Sequence, residues 1–154
     1  MISLVPPVIG ITILLSIGLL AAQSARETGV TEELARDLLR HHQHHFEVAR
    51  VSGFPLGPVE ADLPYPILPL AEWRSEVVQD GTRRRVLTWA DGYGADGIDP
   101  SAYRGVVGAL PERLGRSGVV GVITFPGTGG ARIGTTELPA TASPIAAGAP
   151  AIYR

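Results

Sequence analysis

The chain has 154 residues, a net charge of −2, and no cysteine. Disulfides and thiolate chemistry are therefore excluded, and the near-neutral charge argues against nucleic acid or an anionic membrane surface as partner. All 13 basic residues are arginine, which reads as coding bias, while 19 glycines and 13 prolines favour turns and short strands over a helical bundle.

Residues 1–25, MISLVPPVIGITILLSIGLLAAQSA, carry no charged side chain, and the first charge is Arg26. About 20 apolar residues at 1.5 Å each span a bilayer. Pro6 and Pro7 suit a first helical turn, where an amide donor has no partner. The expected organisation is a transmembrane anchor over 1–25 and one domain over 26–154, placed outside the cytoplasm. Small residues at Gly10, Ser16, Gly18 and Ala22 would let such anchors pack closely. Two other readings stand beside the anchor. Ala22-Gln23-Ser24 offers a signal-peptide cleavage site, although no Lys or Arg precedes the apolar run. A buried core helix would need more surrounding protein than the remaining chain supplies.

After the anchor, Gly29 is expected to interrupt or kink the helix and Thr31 to cap a new one, with Glu32 and Glu33 complementing its dipole. Leu34, Ala35, Leu38, Leu39, His42, Phe46 and Ala49 recur at three- and four-residue steps, which predicts an amphipathic helix. Its outer face carries Glu33, Arg36, Asp37, Arg40 and Gln43, and Gly53 and Pro55 stop it. Within it, His41 and His45 are one turn apart and could share a metal, but no third ligand is evident and the HExxH pattern is absent. The sequence favours a polar helix face with His42 partly packed over a metal or pH-sensing role. No cofactor is expected.

The proline-rich stretch 53–69 reads as an extended connector, with Leu63, Tyr65, Ile67 and Leu70 laid over a sheet. Trp73–Val78 and Arg84–Ala90 flank an Asp80-Gly81 turn and predict a hairpin with one core face. Arg83-Arg84-Arg85 reads as a solvated strand end. A helix follows, capped by Asp99 or Ser101 and striped by Ala102, Val106, Val107 and Leu110; Pro111 ends or restarts it. Val119–Phe125 reads as a buried strand and Ala131–Thr135 as its return. The last residues, Ala151-Ile152-Tyr153, add an edge strand or stay loose.

Catalytic motifs fail. Gly129 to Thr136 has the outer glycine spacing of a phosphate loop but lacks its Lys, and Arg132 stands where a dinucleotide fingerprint needs a third glycine. There is no GxSxG elbow and no carboxylate pair distinct from solvated charges. A non-enzymatic role is expected.

The order of features resembles the PilM family of conjugative-plasmid type IVb pilus systems. It is carried by an apolar start, then LARDLLRHHQHHFEVAR, a proline-rich stretch, EWRSEVV and RRRVLTWA, SGVVGVIT, and a closing LPATASPIAAGAPAIYR. The resemblance implies a single-pass bacterial inner-membrane protein with a periplasmic C-terminal domain that helps assemble the pilus without catalysis. Its architecture would be α+β, a transmembrane helix followed by an amphipathic helix packed on a small antiparallel sheet in a pilin-like arrangement. Its partners would be other pilus assembly proteins or pilin subunits and the inner membrane, not nucleic acid, with self-association open. The alternative is a pilin-like subunit packed into a filament through the N-terminal apolar helix. A third, weaker idea is a metal binder using the histidine cluster.

Overall fold

The computed structural model describes residues 29–62, 70–95, 98, 100–110, 118–125 and 130–154. Helix α1 occupies residues 29–51, followed by β1 (Gly57–Pro58), β2 (Trp73–Asp80), β3 (Arg83–Ala90) and helix α2 (Pro100–Ala109). The chain closes with β4 (Val119–Thr124), β5 (Arg132–Ile133), β6 (Thr136–Glu137) and β7 (Pro150–Tyr153). The strands form one seven-stranded sheet in the order β1-β2-β3-β7-β4-β5-β6, antiparallel at every pairing.

The period-3.6 stripe on α1 lies against this sheet: Leu34, Ala35, Leu38, His42 and Ala49 are buried. The opposite face carries the solvated pairs Glu32–Arg36 and Glu47–Arg50. Asp37 departs from the expected outer face. It is 4 % exposed, and its Oδ2 accepts the Leu70 amide at 2.9 Å and Trp73 Nε1–H at 2.7 Å. The start of β2 is thereby fastened to the middle of α1. Residues 29 and 30 are already helical, so Thr31 is no cap. Its Oγ1 instead donates to the Ala102 carbonyl at 3.1 Å, which joins α1 to α2. The helix ends where Gly53 and Phe54 both take positive φ, with the Phe54 amide turning back to the Ala49 carbonyl at 2.7 Å.

The β2–β3 hairpin pairs Trp73 with Ala90 through Asp80 with Arg83. Its turn is Gly81-Thr82, with Gly81 at φ 57°. Side chains alternate between two covered faces. Trp73, Ser75, Val77, Val86 and Thr88 face the helices; there Val77 and Val86 cluster with Ala49, and Trp73 meets Tyr103 of α2 edge-on at 6.2 Å. Glu76, Val78, Leu87 and Trp89 face the other way, toward the irregular segment 138–149, and all four are buried. The single core face expected of this hairpin is thus two. Leu70, expected over the sheet, is half exposed; Leu63, Tyr65 and Ile67 lie outside the described residues.

The tail is where expectation and structure differ most. β7 is neither loose nor an edge. It runs between β3 and β4, pairing Leu87 with Tyr153 on one side and Val119 with Tyr153 on the other, and all four of its residues are buried. Gly121 of β4 must lack a side chain, because a Cβ there would collide with the Ile133 methyl from β5.

Two expectations are corrected. The pilin-like architecture, a transmembrane helix leading into an amphipathic helix on a small sheet, gives way to a seven-stranded antiparallel sheet with helices on one face and an irregular segment on the other. Among the described residues no helix is long and apolar enough to cross a membrane. Helix α1 carries a charge on nearly every turn and α2 spans only ten residues, about 15 Å against the roughly 30 Å of a bilayer core. The single-pass inner-membrane placement is therefore not supported. The anchor reading and its packing positions Gly10, Ser16, Gly18 and Ala22 fall on residues 1–28, outside the described residues.

Candidate functional site

Two features combine unusual chemistry with defined geometry. The first is the histidine cluster on α1. His41, His42 and His45 are 8 %, 0 % and 4 % exposed, so the polar helix face expected from the sequence is buried apart from Gln43 and the half-buried His44. His42 Nδ1 lies 2.9 Å from Thr88 Oγ1, which lies 2.8 Å from Ser75 Oγ, and this chain of hydrogen bonds runs from α1 into the β2–β3 hairpin. His44 Nε2–H donates to the Asp62 carbonyl at 2.9 Å and His45 Nε2–H to the Ala61 carbonyl at 3.0 Å, pinning the segment that leads out of β1. The His41 and His45 ring centroids lie 4.0 Å apart, with the ring planes tilted by 45°. Burial lowers the pKa of His41 to about 3, with the neighbouring histidines adding to the effect. Burial, then the Arg154 guanidinium, lowers that of His42 to about 4. His45 is lowered mainly by burial, against the raising effect of its bond to Ala61. All three are neutral imidazoles at pH 7.

The second feature is an apolar groove of about 810 Å³ between β4, the β5–β6 hairpin and the tail, lined by Phe125, Ala131, Leu138, Pro139, Pro144 and Ile145, with Glu137 at its rim. Phe125 is 46 % exposed, an unusual position for a large aromatic side chain. The tail wall of the groove is held by Glu76. This carboxylate is 1 % exposed, and its two oxygens accept the Ala142 amide at 2.8 Å and the Ser143 amide at 3.0 Å. Arg74 adds a bond to Ser143 Oγ at 3.2 Å while it pairs with Asp91. A carboxylate accepting two backbone amides fixes an otherwise irregular segment. Glu76→Ala leaves both amides without a partner and is expected to destabilise the domain by about 3 kcal/mol, measured by urea unfolding; a loss within error of zero would show that the tail holds its place without Glu76.

No family model, curated protein or solved structure matches this chain. The site must be read from its own residues.

Sequence reasoning singled out His41 and His45, and the structure brings them together, buried rather than solvated. In the described part of the glycine-rich stretch, Gly134, at φ 59°, makes the turn of the β5–β6 hairpin, and Arg132 reaches Glu137 across that hairpin at 3.8 Å; Gly127 and Gly129 lie outside the described residues. Arg84 and Arg85 are likewise engaged, on the Phe54 carbonyl and Asp80. Among the described residues no three His, Cys, Asp or Glu side chains converge as a metal centre. The groove was missed, because it is built from single apolar residues spread over 125–145 with no period to reveal them.

Proposed function

We propose that the chain acts by protein–protein interaction, without catalysis, as a component of a type IVb pilus assembly machine, docking another pilus protein in the groove beside Phe125. The observation that carries the docking site is the half-exposed aromatic ring lining an apolar groove, one wall of which is anchored by a buried carboxylate. A groove lined largely by apolar side chains is what a partner's apolar side chains recognise. The pilus assignment rests on the order of sequence features, and its most telling stretch, LPATASPIAAGAPAIYR, is the one that builds the groove wall and β7.

The test is genetic and biochemical. Deleting the gene is expected to remove pili from sheared preparations, and the wild-type chain to restore them. Phe125→Asp is expected to fold with an unchanged melting temperature yet fail to restore pili, its partner binding weakened about thirtyfold or more. Normal piliation in the deletion strain would overturn the assignment; full rescue by the Phe125 variant would move the docking surface elsewhere.

A further inference from the structure

The histidine cluster plays no part in that reading, and it sits under a segment that few bonds hold to the fold. Residues 57–62 contain β1, the outermost strand at one end of the sheet, and pack beside the C-terminal half of α1. Their attachment to β2 is two residue pairs, Gly57 with Val77 and Pro58 with Glu76, and the Val59 amide donating to the Ser75 carbonyl at 2.9 Å. Pro58 has no amide to give. Toward α1, the Ala61 and Asp62 carbonyls accept from His45 and His44, and Val59 packs on Ala49, Val77 and Val86. Gly53, Phe54 and Gly57 all take positive φ, so the chain bends sharply between α1 and this segment. We propose that residues 57–62 form an acid-released strap: protonation of His41 and His45 frees them from α1 and uncovers Ala49 and its apolar neighbours, while the central strands stay paired.

The geometry fixes the direction of the switch. Both rings are more than nine-tenths buried, and their centroids lie 4.0 Å apart, so with the strap in place each charged ring would meet both burial and the other's charge. Neither ring nitrogen of His41 has a hydrogen-bond partner, and neither does Nδ1 of His45, so an added proton finds no acceptor there. Once the strap lifts, the rings meet water and take protons at the ordinary histidine value of 6.5. With the strap in place, burial and then the neighbouring histidines hold the His41 pKa at about 3. That of His45 is lowered mainly by burial, against the raising effect of its bond to Ala61. The open form therefore binds more protons, and it gains on the closed form as pH falls below 6.5. Between about pH 7.5 and 5.0 His41 alone multiplies the open-to-closed ratio by about thirty.

No neighbouring charge cancels this effect. Asp37, one turn before His41, is engaged by the Leu70 amide and Trp73 Nε1–H. Glu60 and Asp62, the strap's own carboxylates, form no ion pair with either ring. Thr88 of β3 and Ser75 of β2, which continue from His42, are uncharged, and Arg154 beyond β7 opposes a positive charge on His42.

Amide hydrogen exchange of the full-length chain, corrected for its intrinsic pH dependence, tests the strap. From about pH 7.5 to about pH 5.0 the Val59 amide is expected to lose protection about thirtyfold or more, through an opening that sub-denaturing urea does not accelerate. The Ile123 amide, bonded to the Ala149 carbonyl, should exchange more slowly and only by urea-sensitive unfolding. His41→Leu gives up no hydrogen bond and is expected to remove most of the acid effect at Val59. Val59 protection equal at the two pH values, or lost with the same urea dependence as that of Ile123, overturns the proposal. So does an acid effect undiminished in His41→Leu.

Discussion

Moving the chain from about pH 7.5 to about pH 4.5 is expected to lower its melting temperature by about 10 °C. Burial holds the folded-state pKa of His41 at about 3 and of His42 at about 4, and lowers that of His45, against 6.5 in an unfolded chain. Below pH 6.5 the unfolded chain therefore binds protons that the folded chain refuses. Stability is complete above that value, is lost progressively as pH falls from it, and levels off only below the folded pKa of each group. His42 alone removes on the order of 3 kcal/mol by pH 4.5, at about 1.4 kcal/mol per proton per pH unit. It has the strongest case: its ring is fully enclosed, and its protonated form would face the Arg154 guanidinium, which sits 4.9 Å above the Phe46 ring. His41 and His45 act in the same direction, each charged ring opposing the other at 4.0 Å. Replacing His42 by Asn, which keeps a polar partner for Thr88 but does not titrate, should flatten the melting profile between pH 6.5 and 4.5. Equal melting temperatures at the two pH extremes, or His41, His42 and His45 resonances titrating near 6.5 in the folded protein, would show that water reaches these rings.

The same cluster shows what a sequence discloses. The i, i+4 spacing of His41 and His45 and the apolar stripe from Leu34 to Ala49 follow from helical periodicity, and both are present. Their burial does not follow, because residue polarity assigns His to a solvated face, whereas here the connector near Ala61 and Asp62 closes over it. Asp37 was misplaced for the same reason. Periodicity marks a charged residue as outward, and nothing local reveals that the Leu70 amide and Trp73 Nε1–H arrive from more than thirty residues away. The hairpin was legible because Asp80-Gly81 stands between two runs of strand-forming residues, although Asp80 closes β2 and the turn pair is Gly81-Thr82, one residue later than expected. Its second buried face was not, since the cover comes from the irregular segment 138–149, tied down by Glu76. The groove shares that origin, so the feature on which the proposed function rests is a product of long-range pairing.

Removing the last five residues, Pro150–Arg154, is expected to abolish the cooperative fold rather than trim an edge. β7 joins the two halves of the sheet: three residue pairs bind it to β3 and four to β4. Arg154 extends the ladder, its carbonyl taking the Val86 amide at 2.7 Å and its amide donating to the Val86 carbonyl at 3.0 Å. Without this strand β3 and β4 cannot pair directly in the same register, and the amides facing β7 on both lose their partners. Ile152 and Tyr153 are 0 % and 2 % exposed. Losing two such side chains costs about 5–10 kcal/mol, against a total stability of about 5–15 kcal/mol for a domain. Proline at the first position of β7 fits this placement, because its missing amide is tolerated at a strand start. A four-residue strand in an Ala- and Pro-rich tail offers too short a pattern to mark it as central. The chain ending at Ala149 should therefore give a collapsed amide proton spectrum and a broad, non-cooperative melt. The milder change Ile152→Ala should keep the fold at a cost of about 2–5 kcal/mol. If the shortened chain retained a dispersed spectrum and melted within a few degrees of the full-length protein, the position of β7 between β3 and β4 would be wrong, and the tail wall of the groove would lose its support.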